Sequence, residues 1–198
     1  RSAAKNFSRM TVLCDQKDYS WVSDKVESSI EDRKHLAAKV FAHTAAYDTL
    51  IAEKLGADEG TDFTIAGNRV LELRYGENPH QKAFWYQQKG ASRGLHEAKI
   101  LQGKTLSYNN LLDLDAAASL VSSFSEPAAV AVKHNNPCGV AIDSNFTRAL
   151  NKALAADPVS VFGGVIAVNR KITEAEAELL CSLFLECLIA PEFSSGAL

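Results

Sequence analysis

A lysine and a histidine, Lys133 and His134, stand side by side directly after the short apolar run 128–132. An imidazole can take up a proton near neutral pH, and an ammonium group beside it can stabilise developing negative charge. The apolar run predicts a buried strand, and the sequence Asn-Asn-Pro-Cys-Gly at 135–139 predicts a tight loop. Both side chains are therefore predicted at the C-terminal mouth of a strand, where open α/β sheets bind ligands. The alternative is a histidine bonded to a nearby carbonyl and a lysine reaching solvent.

Polar side chains are also dense at 74–81, after another predicted strand. Arg74 could fork onto a phosphate and the Tyr75 hydroxyl could add a hydrogen bond, but an ordinary turn explains the segment equally well. Gly163 belongs to a glycine pair, which in a strand marks a bulge, close packing or an approaching ligand. Glu186 could bond sugar hydroxyls or simply face solvent.

Lys5 and Asn6 end a third polar segment, Arg-Ser-Ala-Ala-Lys-Asn. Its small residues would let an anion approach the backbone, although the spacing alone favours a solvated helix start. Cys138 could be a nucleophile or a metal ligand, but Ala141 stands where a zinc deaminase needs its second cysteine. We therefore favour a structural thiol and expect no metal. A Schiff-base role for Lys133, as in aldolase-like or pyridoxal enzymes, stays open.

Alternating strands and helices must position these residues. Apolar periodicity predicts a long helix from Glu31 to Leu55 with Gly56 as its C-cap, and the Gly- and Asp-rich segment 56–69 predicts a loop and a domain boundary. The alternation predicts an α/β fold with right-handed crossovers, a mainly parallel sheet and flanking helices. The further predicted strands are 10–14, 70–75, 83–87, 128–133, 160–169 and 187–190, and the further helices are 111–124 (N-cap Asn109 or Asn110), 145–156 (N-cap Asn145) and 173–185 (capping box Thr173 and Glu176).

Composition narrows the class of protein. The net charge of −3 provides no general attraction for nucleic acid or acidic lipid, so an anionic substrate would have to meet local cations. No apolar run is long enough to span a bilayer. Four cysteines without Cys-x-x-Cys spacing predict reduced thiols in the cytoplasm. The first residues already resemble the inside of a domain, so we expect a fragment of a longer protein.

Several long motifs occur together and in order. The chain closely resembles the family of bifunctional AICAR transformylase/IMP cyclohydrolases of purine biosynthesis, and the resemblance covers essentially all 198 residues. The motifs that carry it are Arg-Ser-Ala-Ala-Lys-Asn at 1–6, His-Thr-Ala-Ala-Tyr-Asp at 43–48, Leu-Arg-Tyr-Gly-Glu-Asn-Pro-His-Gln at 73–81, Lys-His-Asn-Asn-Pro-Cys-Gly at 133–139 and Asp-Pro-Val-Ser-Val-Phe-Gly-Gly at 157–164.

The resemblance implies both a domain plan and a reaction. Residues 1–69 would be the C-terminal part of the cyclohydrolase domain with a helical tail and linker, and residues 70–198 the N-terminal part of the transformylase domain, cytidine-deaminase-like but without its zinc. Such enzymes move a formyl group from 10-formyltetrahydrofolate to the 5-amino group of AICAR and then close the ring of formyl-AICAR, with loss of water, to give IMP. The family is cytoplasmic and builds its transformylase sites across a homodimer.

Residue roles follow from the same resemblance. His134 resembles the proton acceptor of formyl transfer and Lys133 the neighbour that stabilises its transition state, while Lys5 resembles the lysine that shuttles a proton in the cyclisation. We expect most folate contacts beyond Leu198. We also expect this segment alone not to turn over, and the alternative function is a catalytically incomplete piece that retains nucleotide binding and dimer contacts. The residues that match the family's substrate contacts are Arg74, Tyr75, Asn110, Gly163, Glu186 and Asn6.

Overall fold

The computed structural model describes residues 1–19, 28–55, 64–89 and 94–198, which divide into two compact units. The first unit comprises Arg1–Val70 and Tyr86–His96, and the second comprises Leu71–Trp85 and Glu97–Leu198. Lys5 belongs to the first unit, whereas Lys133 and His134 belong to the second. Within the described residues, no helix is both long and apolar enough to cross a membrane.

The first unit is organised by one long helix. A short helix, α1, spans Ser2–Lys5, and the long helix, α2, spans Ile30–Lys54, close to the predicted 31–55. α2 begins at this point because Ser29 and Asp32 form a capping box: the Asp32 N–H donates to the serine hydroxyl at 3.1 Å, and the Ser29 N–H donates to the Asp32 carboxylate at 3.2 Å. Gly56, the predicted C-cap, lies outside the described residues.

The core of the first unit is small and lies beside α1. Ala4, Ala37 and Val40 are buried together, and Phe7, Val12 and Cys14 pack against them. The predicted strand at 10–14 is wrong, because this apolar run packs on α2 and forms no strand. The predicted stripe along α2 is buried only in its first half. Tyr47, Ile51 and Leu55 are exposed by 61%, 40% and 82%.

The second unit is built around a four-stranded sheet. Two further strands, β1 (Gly67–Glu72) and β2 (Phe84–Gln88), pair in a separate sheet, and most of their residues belong to the first unit. Part of the predicted linker 56–69 is therefore strand, while 56–63 lie outside the described residues. The remaining elements are α3 (Tyr108–Ser122), β3 (Ala128–Lys133), β4 (Asn136–Ile142), α4 (Phe146–Ala156), α5 (Pro158–Val161), β5 (Gly164–Val168), α6 (Glu174–Cys181) and β6 (Leu185–Ile189).

The strand order of this sheet is β4-β3-β5-β6. The α/β class is confirmed, but the sheet is mixed rather than mainly parallel. β3 runs antiparallel to both β4 and β5, and in this sheet only β5 and β6 run parallel. The prediction failed because it missed β4: a two-residue turn joins β3 to β4 as a hairpin, where the sequence predicted a loop leading to a helix.

The core of the second unit lies on both faces of the sheet. β3 and β5 are its central strands, and both are almost wholly buried, as continuous apolar runs require. Alternate residues such as Ala131 and Ile166 pack with Leu150 of α4 and Leu180 of α6. α3 contacts the same two strands and buries Leu114, Ala117 and Val121. Burial of the central strands fixes where their polar ends emerge.

Several element boundaries differ from the predicted ones. α3 begins at Tyr108 because Ser107 is its N-cap, and Asn110 is the third residue of that capping box rather than the cap itself. β5 begins at Gly164, since Asp157 and Pro158 start the short α5 within the predicted strand 160–169. α6 ends at Cys181 and β6 already begins at Leu185. The N-cap Asn145 and the capping box of Thr173 and Glu176 are confirmed.

Candidate active site

His134 and Asn135 form the whole turn of the β3–β4 hairpin. Their φ angles are +52° and +61°, so both adopt the left-handed conformation. Two-residue hairpin turns of the favoured type need positive φ at both central positions, which glycine usually supplies. This conformation is uncommon for residues other than glycine, although asparagine and histidine adopt it more often than most. The predicted base therefore lies on a backbone that must be held by its surroundings.

Two hydrogen bonds hold this turn. The Asn135 N–H donates to Oδ1 of Asp113 on α3 at 2.6 Å, and Nδ2 of Asn136 donates to the His134 carbonyl at 2.8 Å. Asn136 acts locally, whereas Asp113 lies 22 residues away in the chain. The His134 side chain is exposed. The arrangement leaves the imidazole open to a ligand while its backbone is fixed.

Lys133 is held in place by the segment before β5. Its ammonium donates to the Phe162 carbonyl at 2.6 Å. The adjacent Gly163 has φ +69°, and its N–H donates to the Phe184 carbonyl at 2.7 Å. A Cβ atom on Gly163 would lie 4.0 Å from the lysine Nζ and 3.6 Å from the Phe184 ring. Gly163 therefore lies beside the lysine ammonium, on backbone that disfavours a side chain.

Arg74 and Tyr75 form a pair anchored to the start of α3. Nη2 of Arg74 lies 3.3 Å from the Tyr75 hydroxyl, and the guanidinium carbon lies 4.9 Å from the centre of the Tyr75 ring. The Arg74 N–H donates to the Leu106 carbonyl at 2.8 Å, and the Tyr108 N–H donates to the Tyr75 carbonyl at 3.0 Å. These backbone bonds place a planar cation and a hydroxyl at the N-terminus of a helix.

Asn110 and Glu186 meet across a long stretch of chain. Nδ2 of Asn110 donates to Oε2 of Glu186 at 3.4 Å, joining α3 to β6. The pKa of the neighbouring Cys187 thiol reflects its burial and the charges around it. Burial, which is the largest cause, and the negative charges of Glu186 and Asp113 together raise the pKa of its thiol to about 11, against the opposing positive charge of Arg74. Charged groups from three segments therefore act on a single thiol.

These contacts gather at one end of the sheet. Val132 pairs with Val165, and Gly164 pairs with Leu185, so the C-terminus of β3 lies beside the N-termini of β5 and β6. Lys133 ends β3, so the predicted position at the C-terminal mouth of a strand is confirmed, although the neighbouring strands β5 and β6 begin at this end of the sheet. The end that carries Lys133 is the carboxyl end of β3 alone.

Cys138 lies in a β-bulge just beyond the turn. The register of β4 shifts between Ala131 and Val132, and the Sγ atom lies 3.6 Å from the Ala131 carbonyl oxygen. Burial raises the pKa of this thiol, which opposes a role as nucleophile or metal ligand because both need the thiolate. Within the described ranges, no group of three or more His, Cys, Asp or Glu side chains could hold a metal ion.

Lys5 and Asn6 lie at the end of α1 in the first unit. Both are exposed, and the preceding Ala4 is fully buried. The Asn6 N–H donates to the Ala3 carbonyl, and its carbonyl accepts from the N–H groups of Arg9 and Met10, so the chain turns sharply after the lysine. Burial of the alanine and this turn direct Lys5 outward.

Arg33 of α2 fastens the segment that follows Lys5. Its guanidinium donates to the carbonyls of Phe7 at 2.9 Å, Ser28 at 2.6 Å and Ser8 at 3.2 Å. Arg1 contacts Asp48, so α1 is tied to α2 at both of its ends. Neither contact was predicted, because nothing in the sequence pairs these positions.

An open surface depression of about 360 Å³ lies elsewhere in the second unit, near the start of β3. Glu126, Ile142, Asp143, Ser144 and Arg148 line it, and none of the predicted site residues does. Hydrogen bonds from Lys152, from the Asn145 N–H and from Arg148 hold the pKa of the Asp143 carboxyl well below its usual value. Its charged groups are already paired, and we assign it no chemistry.

Reasoning from sequence missed Asp113 and the carbonyls of Phe162 and Phe184. Asp113 follows Asn110 by three residues on one helix, a spacing that shares a face, but no sequence signal pairs it with Asn135. The structure brings Lys133 beside Gly163, Asn110 beside Glu186 and Arg74 beside Tyr75, all within the second unit. Lys5 and Asn6 belong to the other unit.

Comparison with known proteins agrees with the motifs. The family model described as AICARFT/IMPCHase bienzyme matches residues 3–198. The chain is 50% identical to the bifunctional purine biosynthesis protein PurH of Halalkalibacterium halodurans, 48% to that of Bacillus subtilis and 49% to that of Listeria monocytogenes. All of the chain is covered in each case, and it spans 40% of the length of each relative.

Proposed function

The chain belongs to the AICARFT/IMPCHase bienzyme family, and we propose that it carries catalytic residues for two successive steps of IMP biosynthesis. In the first step a formyl group passes from 10-formyltetrahydrofolate to the 5-amino group of AICAR. In the second step formyl-AICAR loses water and closes to IMP. Because the chain spans 40% of its PurH relatives, it acts in this proposal within a longer chain of that kind.

Formyl transfer is assigned to the second unit. The amino nitrogen of AICAR attacks the formyl carbon, His134 takes the proton that this nitrogen loses, and the Lys133 ammonium stabilises the oxyanion of the tetrahedral intermediate. The bond from this carbon to the folate nitrogen then breaks, and the nitrogen leaves protonated as tetrahydrofolate. An aromatic amine is a poor nucleophile, so a positioned base and a fixed cation each lower the barrier.

The observation that carries this assignment is the meeting of Lys133 with Gly163. The lysine ammonium donates to the Phe162 carbonyl at 2.6 Å, directly beside a glycine whose missing side chain leaves only Phe184 and the ammonium itself as near neighbours. Arg74 and Tyr75 would bind the phosphate of AICAR. Asn110, Gly163 and Glu186 would contact the rest of the nucleotide, with the carboxylate suited to ribose hydroxyls. Arg74 supplies a local cation for an anionic substrate on a chain whose net charge is −3.

Ring closure is assigned to Lys5 of the first unit, with Asn6 as a substrate contact. The carboxamide nitrogen of formyl-AICAR attacks the formyl carbon, and Lys5 moves the proton as water leaves. Residues 1–69 are accordingly the end of the cyclohydrolase domain and its linker, and residues 70–198 the start of a cytidine-deaminase-like transformylase domain. The protein would act as a cytoplasmic homodimer without a metal.

Paired substitutions in the full-length protein test this division of labour. His134→Ala should lower formyl transfer by about 10²- to 10⁴-fold, the usual contribution of a general base, and leave the cyclisation of supplied formyl-AICAR unchanged. Lys5→Ala should do the reverse. Release of tetrahydrofolate and formation of IMP are measured separately by absorbance. If either variant remains folded and loses both activities equally, the assignment is wrong.

The partial coverage of the relatives favours one alternative. The 198 residues alone would then retain binding of AICAR and contacts between subunits, but no turnover. Calorimetric titration of this chain with AICAR, followed by an assay with added 10-formyltetrahydrofolate, separates the two. Turnover by the isolated chain would exclude this alternative.

A further inference from the structure

We propose that Asp113 is a positioning residue for the base His134, because it holds the turn that carries this base against α3. This inference rests on the proposed function, because it concerns the same site. Asp113 lies in none of the family motifs, and its carboxylate accepts a hydrogen bond from the backbone N–H of Asn135 at 2.6 Å.

The turn that carries His134 has an uncommon backbone conformation. His134 and Asn135 have φ angles of +52° and +61°, and neither is glycine. Left-handed non-glycine residues persist where surrounding contacts over-determine them, and they cluster at functional sites. The orientation of the His134 side chain depends on this backbone, so whatever stabilises the turn also determines where the imidazole lies.

Asp113 makes a charge-assisted hydrogen bond with the backbone of the turn. A carboxylate that accepts from a backbone N–H forms a charge-assisted bond, which is shorter and stronger than a neutral one. The distance of 2.6 Å is at the short end for N–H donors. Asn136 also bonds the turn, but it is part of the hairpin and moves with it. Asp113 instead ties the turn to another element.

The element to which Asp113 belongs, α3, is held firmly at its start. Ser107 and Asn110 cap α3 reciprocally, with bonds of 3.0 Å and 3.2 Å. The backbone bonds from Arg74 to Leu106 and from Tyr108 to Tyr75 fasten the same helix start. A helix fixed in this way can set the position of a side chain one turn further along.

Asn110 and Asp113 are three residues apart on α3. Residues three apart on a helix lie on one face about 5–6 Å apart. Asn110 reaches Glu186 at 3.4 Å, and Asp113 reaches the turn at Asn135. One face of α3 therefore bonds a predicted nucleotide contact and the turn that carries the predicted base.

The experiment uses the full-length protein with Asp113→Ala, Asp113→Asn and, as a matched control, Asp115→Asn. Asp115 is exposed on the same helix and loses the same charge. We expect Asp113→Ala to lower kcat for formyl transfer by about 10- to 100-fold, since misplacing a catalytic group by an ångström costs about that much. Asp113→Asn keeps an acceptor oxygen but not the charge, and should lose at least about threefold. Asp115→Asn should be unchanged.

The readout must separate positioning from partial unfolding and from direct contact with substrate. Calorimetric titration with AICAR counts folded sites and gives Kd, so kcat is expressed per AICAR-binding site. We expect the stoichiometry to be unchanged and the KM and Kd for AICAR to stay within about twofold, because positioning acts on the chemical step alone. A proportional loss of AICAR sites, or a Kd weakened by the same factor as kcat, would overturn the proposal.

Two further outcomes are decisive. If Asp113→Ala does not fold, Asp113→Asn decides, and a wild-type rate in that variant overturns the proposal. His134→Ala is assayed alongside. If that variant still transfers formyl groups, His134 is not the base and the proposed function is wrong. If it does not transfer them while both Asp113 variants retain wild-type kcat, the role of Asp113 fails alone.

Discussion

Lys133 and Lys5 are both proposed to act in catalysis, yet they are held in opposite ways. Lys133 is half-buried, and its ammonium bonds a carbonyl 29 residues along the chain. The turn beside it is bonded by a residue 22 positions earlier. Lys5 is exposed at the end of a four-residue helix, where backbone bonds to near neighbours set its direction. Contacts from distant segments reach the lysine side chain and its turn in the first case, whereas in the second they reach only the backbone around the lysine.

The difference teaches which changes should matter to each site. A change in the sheet of the second unit should reach Lys133 and His134, because their partners belong to other elements of that unit. The surroundings of Lys5 depend on α2, chiefly through Ala37, Val40 and Arg33. We therefore expect each activity to respond to damage in its own unit.

The largest effect is expected from Gly139→Ala. A Cβ atom there would lie 2.0 Å from the Ala153 carbonyl of α4, and backbone at this distance must move. Overpacking of this kind costs typically 1–3 kcal/mol and occasionally more, and we expect the upper end or beyond. Chemical denaturation should show the loss in the second unit, with formyl transfer lost and cyclisation retained. The exposed Val140→Ala, on the same strand, is the control, and an equal loss there would contradict this reading.

Gly163→Ala should have the next largest effect. Its φ of +69° makes alanine unfavourable by about 1–2 kcal/mol, and the new methyl group approaches Phe184 and the Lys133 ammonium. We expect formyl transfer to fall by about tenfold, equivalent to 1.4 kcal/mol. Gly103→Ala carries a similar backbone penalty at φ +99° with no atom within 4 Å. If both variants lose transfer equally, strain alone explains the result and the contact with Lys133 does not.

Arg33→Ala tests how the surroundings of Lys5 are held. Its removal leaves the carbonyls of Phe7 and Ser8 without this donor, so the turn after Lys5 should loosen. We expect a loss of about 1–3 kcal/mol in stability of the first unit and a fall in cyclisation, with formyl transfer unchanged. Arg9→Ala removes an exposed positive charge from the same segment and serves as control. A drop in transfer instead of cyclisation would show that the two sites are not separately supported.

The smallest expected effect is on the pH dependence of folding stability and comes from the carboxyl group of Glu176. Burial alone would raise its pKa, but hydrogen bonds from the hydroxyls of Thr147 and Thr173 and from the Thr173 N–H hold the pKa below its ordinary value of 4.5. A lowered folded-state pKa means that the ionised carboxylate stabilises the fold above pH 4.5, and that this stability is lost as pH falls through the lower, folded value.

Glu176→Gln should therefore lose about 1–2 kcal/mol near neutral pH and flatten the acid limb of the stability curve of the second unit. Urea denaturation at a series of pH values measures both. The exposed Glu178→Gln is the control, from the same helix. Parallel acid limbs in wild type and Glu176→Gln would show that another group governs acid sensitivity.

Much of the second unit follows from local signals. The run 128–133 forms the predicted strand because a continuous apolar segment flanked by breakers has few other uses. Asn145 and the pair of Thr173 and Glu176 cap their helices as predicted, since capping depends on neighbouring residues alone. The family motifs supplied the candidate site residues, whose roles stay proposals.

The failures have physical reasons too. β4 begins with Asn-Pro-Cys-Gly, which resembles a loop, but an edge strand tolerates proline because one side of its backbone is unpaired. The turn before it lacks the glycine that would signal positive φ. The sheet was predicted as mainly parallel because this hairpin was missed. The bond from Asp113 to Asn135 joins distant segments, and a single sequence holds no record of such pairs.

The close approach of Gly139 to α4 has a consequence for the length of the hairpin. Gly139 pairs with Ala131, and its missing side chain is what admits the Ala153 carbonyl. Adding or removing one residue between Lys133 and Gly139 would turn alternate side chains to the wrong face and bring a Cβ against that carbonyl. Packing thus fixes the number of residues in this segment, in addition to the identities of His134 and Gly139. A library for altered activity should vary side chains here and never the spacing.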